Sequence, residues 1–119
     1  MIKKIKDYAK RLCEEDTQIE EVVLIGSFAN GTATNKSDID LVCVFDEECE
    51  DKDPMATVCV LYGKVRELRD KFHQLEKKIG RSIDLGFITA DGDIFMGGGL
   101  ISNYAGKSKL LAKRSEVKP

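Results

Sequence analysis

Two aspartates and a small-residue turn are the chemically pointed part of this sequence. The turn is Gly26-Ser27-Phe28-Ala29-Asn30-Gly31, and Ser37-Asp38-Ile39-Asp40-Leu41 follows it. Asp38 and Asp40 are two residues apart at the start of an apolar run. On a strand, side chains two apart point the same way. Two carboxylates aimed together suit a hard cation, and a Gly/Ser turn beside them suits a phosphate. A third carboxylate, Asp84, stands in the similar stretch Ser82-Ile83-Asp84-Leu85. If its strand lies beside the first, all three acids reach one sheet edge. Gathered there without a counter-ion they would repel one another, and apolar neighbours would sharpen the repulsion. Magnesium would relieve it, keeping some waters and taking its remaining ligands from substrate phosphates; two such ions can serve phosphoryl chemistry.

Each residue has a plainer use in isolation. Asp38 alone would cap a turn, Asp84 alone would be a strand-end acid, and Gly26-Ser27 alone would be an ordinary helix start. A short helix from Ser27 would expose backbone N–H groups to a phosphate, and the Ser27 hydroxyl would add a donor. Gly31 permits a close turn beneath a nucleotide. No Gly-Lys-Ser/Thr follows the first strand and no Gly-x-Gly-x-x-Gly is present, which excludes a Walker loop and a dinucleotide fingerprint.

The elements that must position these residues follow from periodicity. Residues 2 to about 16 predict a helix with Ile5, Tyr8, Ala9 and Leu12 on its apolar stripe. Glu21 to Ile25 predicts a buried strand ending at Gly26, and Ile39 to Phe45 a second strand. The acidic segment Asp46 to Asp53 reads as an exposed linker. Asp53-Pro54 reads as a helix start. That helix runs to Lys77, with Val58, Leu61, Tyr62, Val65, Leu68, Phe72 and Leu75 as its buried stripe. Ser82 to Ile88 predicts a third strand, and Ala90 to Asp93 a turn. Gly97-Gly98-Gly99 argues against one continuous helix from Ile94, and residues 100 to 114 suggest a short helix carrying Leu110 and Leu111. The expected fold is α/β (α+β): a mixed β-sheet with helices packed against it. The 119 residues form one domain, with about 90–119 as an irregular C-terminal extension.

Bulk properties narrow the partners. The chain is 42% hydrophobic with a formal charge of −2, so there is no global attraction to nucleic acid. The basic tail after Lys107 could meet a phosphate or an acidic partner, or simply solubilise the end. Cys13, Cys43, Cys49 and Cys59 show neither CxxC nor metal spacing and read as core or incidental thiols. With no signal peptide or membrane span visible, a cytoplasmic location is expected. His73, the one histidine, is expected at the surface.

At Gly26-Ser27, Gly31, Asp38-Ile39-Asp40 and Asp84 the sequence resembles the nucleotidyltransferase superfamily that includes DNA polymerase beta, and most closely its minimal stand-alone members. The specific part spans Val22 to Phe45, and the resemblance extends over about the first 90 residues. It implies a nucleotidyltransferase-like core that moves a nucleoside monophosphate, AMP from ATP above all, to a hydroxyl acceptor with release of pyrophosphate. Asp38 and Asp40 would hold magnesium bridging the triphosphate. Asp84 would join Asp40 at the metal nearer the acceptor and is a candidate base. Gly26 and Ser27 would hold the β and γ phosphates. Minimal members often accompany an all-helical partner protein, and some act as antitoxins that transfer AMP to a tyrosine of that partner. The resemblance therefore implies such a partner in a toxin–antitoxin system, or a homo-oligomer. The alternative is an antitoxin-like binding module that neutralises the partner by contact. Polymerisation of nucleic acid is disfavoured, because there is no room for accessory domains and no broad basic surface.

Overall fold

The computed structural model describes residues 2–15, 18–46, 54–90, 94–96 and 108–114, with 54–61 and 94–96 described by backbone alone. Helix α1 spans Ile2–Glu15, strand β1 Ile19–Ile25, helix α2 Gly26–Asn30 and strand β2 Ile39–Phe45. Helix α3 spans Pro54–Ile79, followed by β3 Ile83–Ile88, β4 Ile94–Met96 and β5 Lys109–Lys113. The strands form one mixed sheet in the order β4-β3-β2-β1-β5.

Connection length dictates the strand directions. The loop-and-turn link between β1 and β2 returns the chain antiparallel, whereas α3 carries it across so that β3 runs parallel to β2. In β2, Ile39, Leu41, Cys43 and Phe45 alternate into the core and are fully buried. They meet Ile19, Val22 and Leu24 of β1 and Ile83 and Phe87 of β3. Helix α1 adds Ile5, Ala9, Leu12 and Cys13, and α3 adds Val65, Leu68, Phe72 and Leu75, at the i, i+3/i+4 spacing of an apolar stripe. The Phe45 and Phe87 rings stack at 5.7 Å, locking β2 to β3 within this layer. The helices also touch each other. Tyr8 meets Phe72 edge-on at 5.5 Å, and its hydroxyl donates to the Lys71 carbonyl at 3.1 Å.

The mixed sheet with packed helices, and the first three strands, match the expectation from sequence. Two details differ. Tyr62, expected on the buried stripe of α3, is half exposed. The segment expected to be helical near the end of the chain is strand β5. It pairs antiparallel with β1, setting Lys113 opposite Glu21 and Ala112 opposite Val22. An apolar β1 left with an open edge would invite pairing with other chains, and the opposed charges favour this partner. The short β4, unforeseen, pairs with the far end of β3. The expected acidic linker from residue 47, the Asp53 cap, the Gly97-Gly98-Gly99 run and the tail beyond 114 lie outside the described residues, as do the thiols of Cys49 and Cys59.

Cys13 and Cys43 are both buried thiols, as expected. Burial, and secondarily the neighbouring Cys13, pushes the Cys43 thiol up to about 12, so it stays protonated and inert. Among the described residues, no helix is long and apolar enough to cross a membrane.

Candidate functional site

The alternation that buries Leu41 and packs the partly buried Leu85 against the core turns their neighbours to the opposite face. Asp40 is the direct register partner of Asp84 on parallel strands β2 and β3, so both carboxylates leave the same face of the sheet. Asp38 lies in the loop just before β2 and is exposed. Its charge nevertheless acts on both of the others. The two strand starts are joined by the Ile39 amide donating to the Ser82 carbonyl at 3.0 Å. Asp40 and Asp84 are thus brought to one end of one sheet face, with Asp38 in the adjoining loop near enough for its charge to act on both.

Gly26 approaches from the other side. In the antiparallel ladder Ile25 stands opposite Asp40, so the chain turns out of β1 beside that carboxylate. Gly26 has φ 73°, in the left-handed region, and begins α2. A Cβ placed on it would overlap Asp40 Oδ2 and lie 3.2 Å from Asp40 Cγ. Only a glycine combines that backbone angle with that approach. Ser27 follows in the first turn, half-buried. Gly31 ends α2 at φ 77°, its amide and that of Thr32 both bonding back to the Ser27 carbonyl. An added Cβ at Gly31 would meet nothing within 4 Å, so its contribution is the turn rather than a close contact.

Burial, then Asp84, then Asp38 hold the Asp40 carboxyl above its ordinary value. Asp84 is raised in the same way by partial desolvation, then by Asp38 and Glu76. The charges that act on these two carboxylates, among the described residues, are like charges. Among the described residues, no three of His, Cys, Asp or Glu converge tightly enough to hold a metal ion by themselves. The donor chemistry nevertheless fits a hard cation that completes its shell with water and phosphate oxygens. The gap beside Asp40 that a Cβ would fill leaves backbone of the Gly26 turn next to those oxygens.

A cavity of about 660 Å³ borders Asp84, lined also by Arg69, His73, Glu76, Ile83 and Leu85. It runs between the second half of α3 and the start of β3. Glu76 bridges its two sides: one carboxylate oxygen accepts from the Ile83 amide at 2.7 Å, and the other lies 2.8 Å from His73 Nδ1. His73 is exposed, as expected, yet it also lines this cavity. Glu76 and Arg81 were not foreseen. Nothing in their spacing separates them from the other charged residues around the end of α3, and only the fold turns them toward the strand starts.

The chain matches the sequence profile of the nucleotidyltransferase domain over residues 5–102. It is 30% identical over 84 residues to a Methanocaldococcus jannaschii protein named "putative protein adenylyltransferase", covering 71% of this chain and 72% of that one. No solved structure gives a significant match.

Proposed function

This chain belongs to the nucleotidyltransferase domain family, and from that premise we propose that it transfers AMP from ATP to a hydroxyl of a partner protein. The observation that carries this reading is the pairing of Asp40 with Asp84 across parallel strands, with Gly26 closed against Asp40. The family relation supports use of a nucleoside triphosphate. The printed name of the archaeal relative supports a protein acceptor, for which a tyrosine of an all-helical partner is the best candidate.

In this reaction the acceptor oxygen forms a bond to the α-phosphorus, the α–β bridging P–O bond breaks, and pyrophosphate leaves. The Gly26 turn and the Ser27 hydroxyl hold the β and γ phosphates. Asp38 and Asp40 would hold one magnesium ion, and Asp40 and Asp84 a second. Bound there, magnesium supplies charge neutralisation along the triphosphate and acidifies the acceptor hydroxyl. Asp84, whose carboxyl is held above its ordinary value by desolvation and then by Asp38 and Glu76, receives the hydroxyl proton. The cavity beside Asp84 admits the acceptor. Catalysis of this kind consists mainly of positioning and electrostatic stabilisation, which two carboxylates on paired strands and a third in the adjoining loop can provide. The buried thiols suit a reducing compartment, and we place the reaction in the cytoplasm.

The test is labelling with ATP radioactive at the α-phosphate, in magnesium, with co-purifying proteins as acceptors. Label should enter a protein band as pyrophosphate is released, and Asp40→Asn and Asp84→Asn should each abolish it. Pyrophosphate release and labelling that persist in both variants would refute the assignment.

A further inference from the structure

Arg81 sits between Gly80 and the strand that carries Asp84, and its side chain reaches back across the site. Its Nη1 donates to two backbone carbonyls of the loop before Asp38: Thr34 at 3.0 Å and Ser37 at 3.0 Å. The guanidinium also lies over the Phe28 ring, 5.5 Å from its centroid. Phe28 directly follows Ser27 in α2, Ser37 directly precedes Asp38, and Arg81 is three residues before Asp84. One planar cation therefore joins the three segments that bear the candidate phosphate-binding turn and the carboxylates.

The loop it holds is itself folded as a tight unit. The Ser37 amide donates to the Thr34 carbonyl at 3.1 Å, the Thr34 amide donates to Ser37 Oγ at 2.8 Å, and the Lys36 amide donates to Thr34 Oγ1 at 3.2 Å. Local bonds fix the shape of this turn but not its place against the sheet. Among the described residues, the bonds that cross from it to the β3 side are those of Arg81 and the Ile39–Ser82 backbone bond. Arginine suits the task. Its flat fork offers two N–H bonds from one nitrogen while the plane stacks on a ring, whereas a lysine ammonium is a mobile point charge that cannot do both.

We propose that Arg81 is a positioning residue. It sets the place of Asp38 relative to Asp40 and Asp84, and thereby the affinity of the site for a magnesium–nucleoside triphosphate. This rests on the assignment of the three carboxylates to that ligand.

The test is equilibrium binding of a non-hydrolysable ATP analogue, with and without magnesium, to the parent, Arg81→Ala, Arg81→Lys and Asp40→Asn proteins. Thermal melting is followed in parallel. Groups that support metal ligands from behind contribute about 10- to 100-fold in affinity. Arg81→Ala should weaken magnesium-dependent binding by that factor, and guanidinium ion added to the buffer should restore part of it. Arg81→Lys, which keeps the charge, should fold and still bind several-fold more weakly than the parent. Parental affinity in Arg81→Lys, or in a folded Arg81→Ala, would overturn the proposal. Weak binding in Arg81→Ala that guanidinium leaves unchanged, together with parental binding in Arg81→Lys, would do so as well. Asp40→Asn separates the two levels. If it binds as the parent does, the carboxylate assignment itself fails; if it alone loses binding, only the role of Arg81 fails.

Discussion

Asp40 fills the space that a side chain at Gly26 would need: a single added carbon at residue 26 would overlap the Asp40 carboxylate. The turn out of β1 and the carboxylate of β2 are therefore one structural unit, although fourteen positions separate them in the chain. Gly26→Ala meets two penalties, the left-handed backbone and the collision. It should destabilise the fold by about 1–3 kcal/mol. Removing the carboxylate relieves only the collision, so Gly26→Ala should cost less in an Asp40→Ala background. Denaturant unfolding of the four proteins in this cycle measures the coupling, which should be about 0.5 kcal/mol or more. Strict additivity would show that Asp40 swings aside at no cost.

The crowded acids predict an unusual pH response. The Asp40 carboxyl is raised above its ordinary 3.8 by burial and by its acidic neighbours. The folded form thus binds this proton more tightly than the unfolded chain does. Its contribution is neutral at pH values below the ordinary value and turns unfavourable as pH rises through the folded pKa. Above that the full penalty remains. Asp40→Asn should therefore melt higher than the parent at neutral pH in metal-free buffer, and the gap should close on acidification toward pH about 3. A lower melting temperature for Asp40→Asn at neutral pH would contradict this sign.

Magnesium with nucleotide should reverse that penalty. A ligand present at a hundred times its dissociation constant stabilises the folded state by about 2.7 kcal/mol. Calorimetric melts should show that gain only when magnesium and ATP are added together. Asp40→Asn and Asp84→Asn should lose it, whereas the exposed Asp7→Asn on α1 should keep it. An equal gain in all four proteins would place the ligand elsewhere.

Strand β5 offers a test of the architecture apart from the chemistry. Leu110 is 43% exposed and Leu111 is 5% exposed. Leu111→Ala should cost about 2–4 kcal/mol in denaturant unfolding, the usual loss for a buried leucine. Leu110→Ala should stay within about 1 kcal/mol. Comparable losses at both positions would argue against this strand pairing.

Much of the fold is written locally. The alternation from Ile39 to Phe45 and the helical spacing of Val65, Leu68, Phe72 and Leu75 are enough to place a strand and a helix, because burial of one face selects the period. The end of the chain was not legible in the same way. Lys109 to Lys113 is too short for periodicity to separate strand from helix, and it becomes a strand by completing the β1 ladder.

The sequence by itself determined the chemical inventory: a glycine-serine turn, two aspartates two residues apart, and a third in a matching context. It also determined that β2 and β3 would each turn an aspartate away from the core, since alternation is a property of a single strand. Only the tertiary structure decided that these strands are parallel neighbours in the register that sets Asp40 beside Asp84. It alone brought Gly26 against Asp40, Glu76 onto the Ile83 amide, and Arg81 across to Thr34 and Ser37. Register and crossover depend on how α1 and α3 pack against the sheet in a shared core. That packing free energy is summed over the core as a whole, so no single segment of the chain carries it.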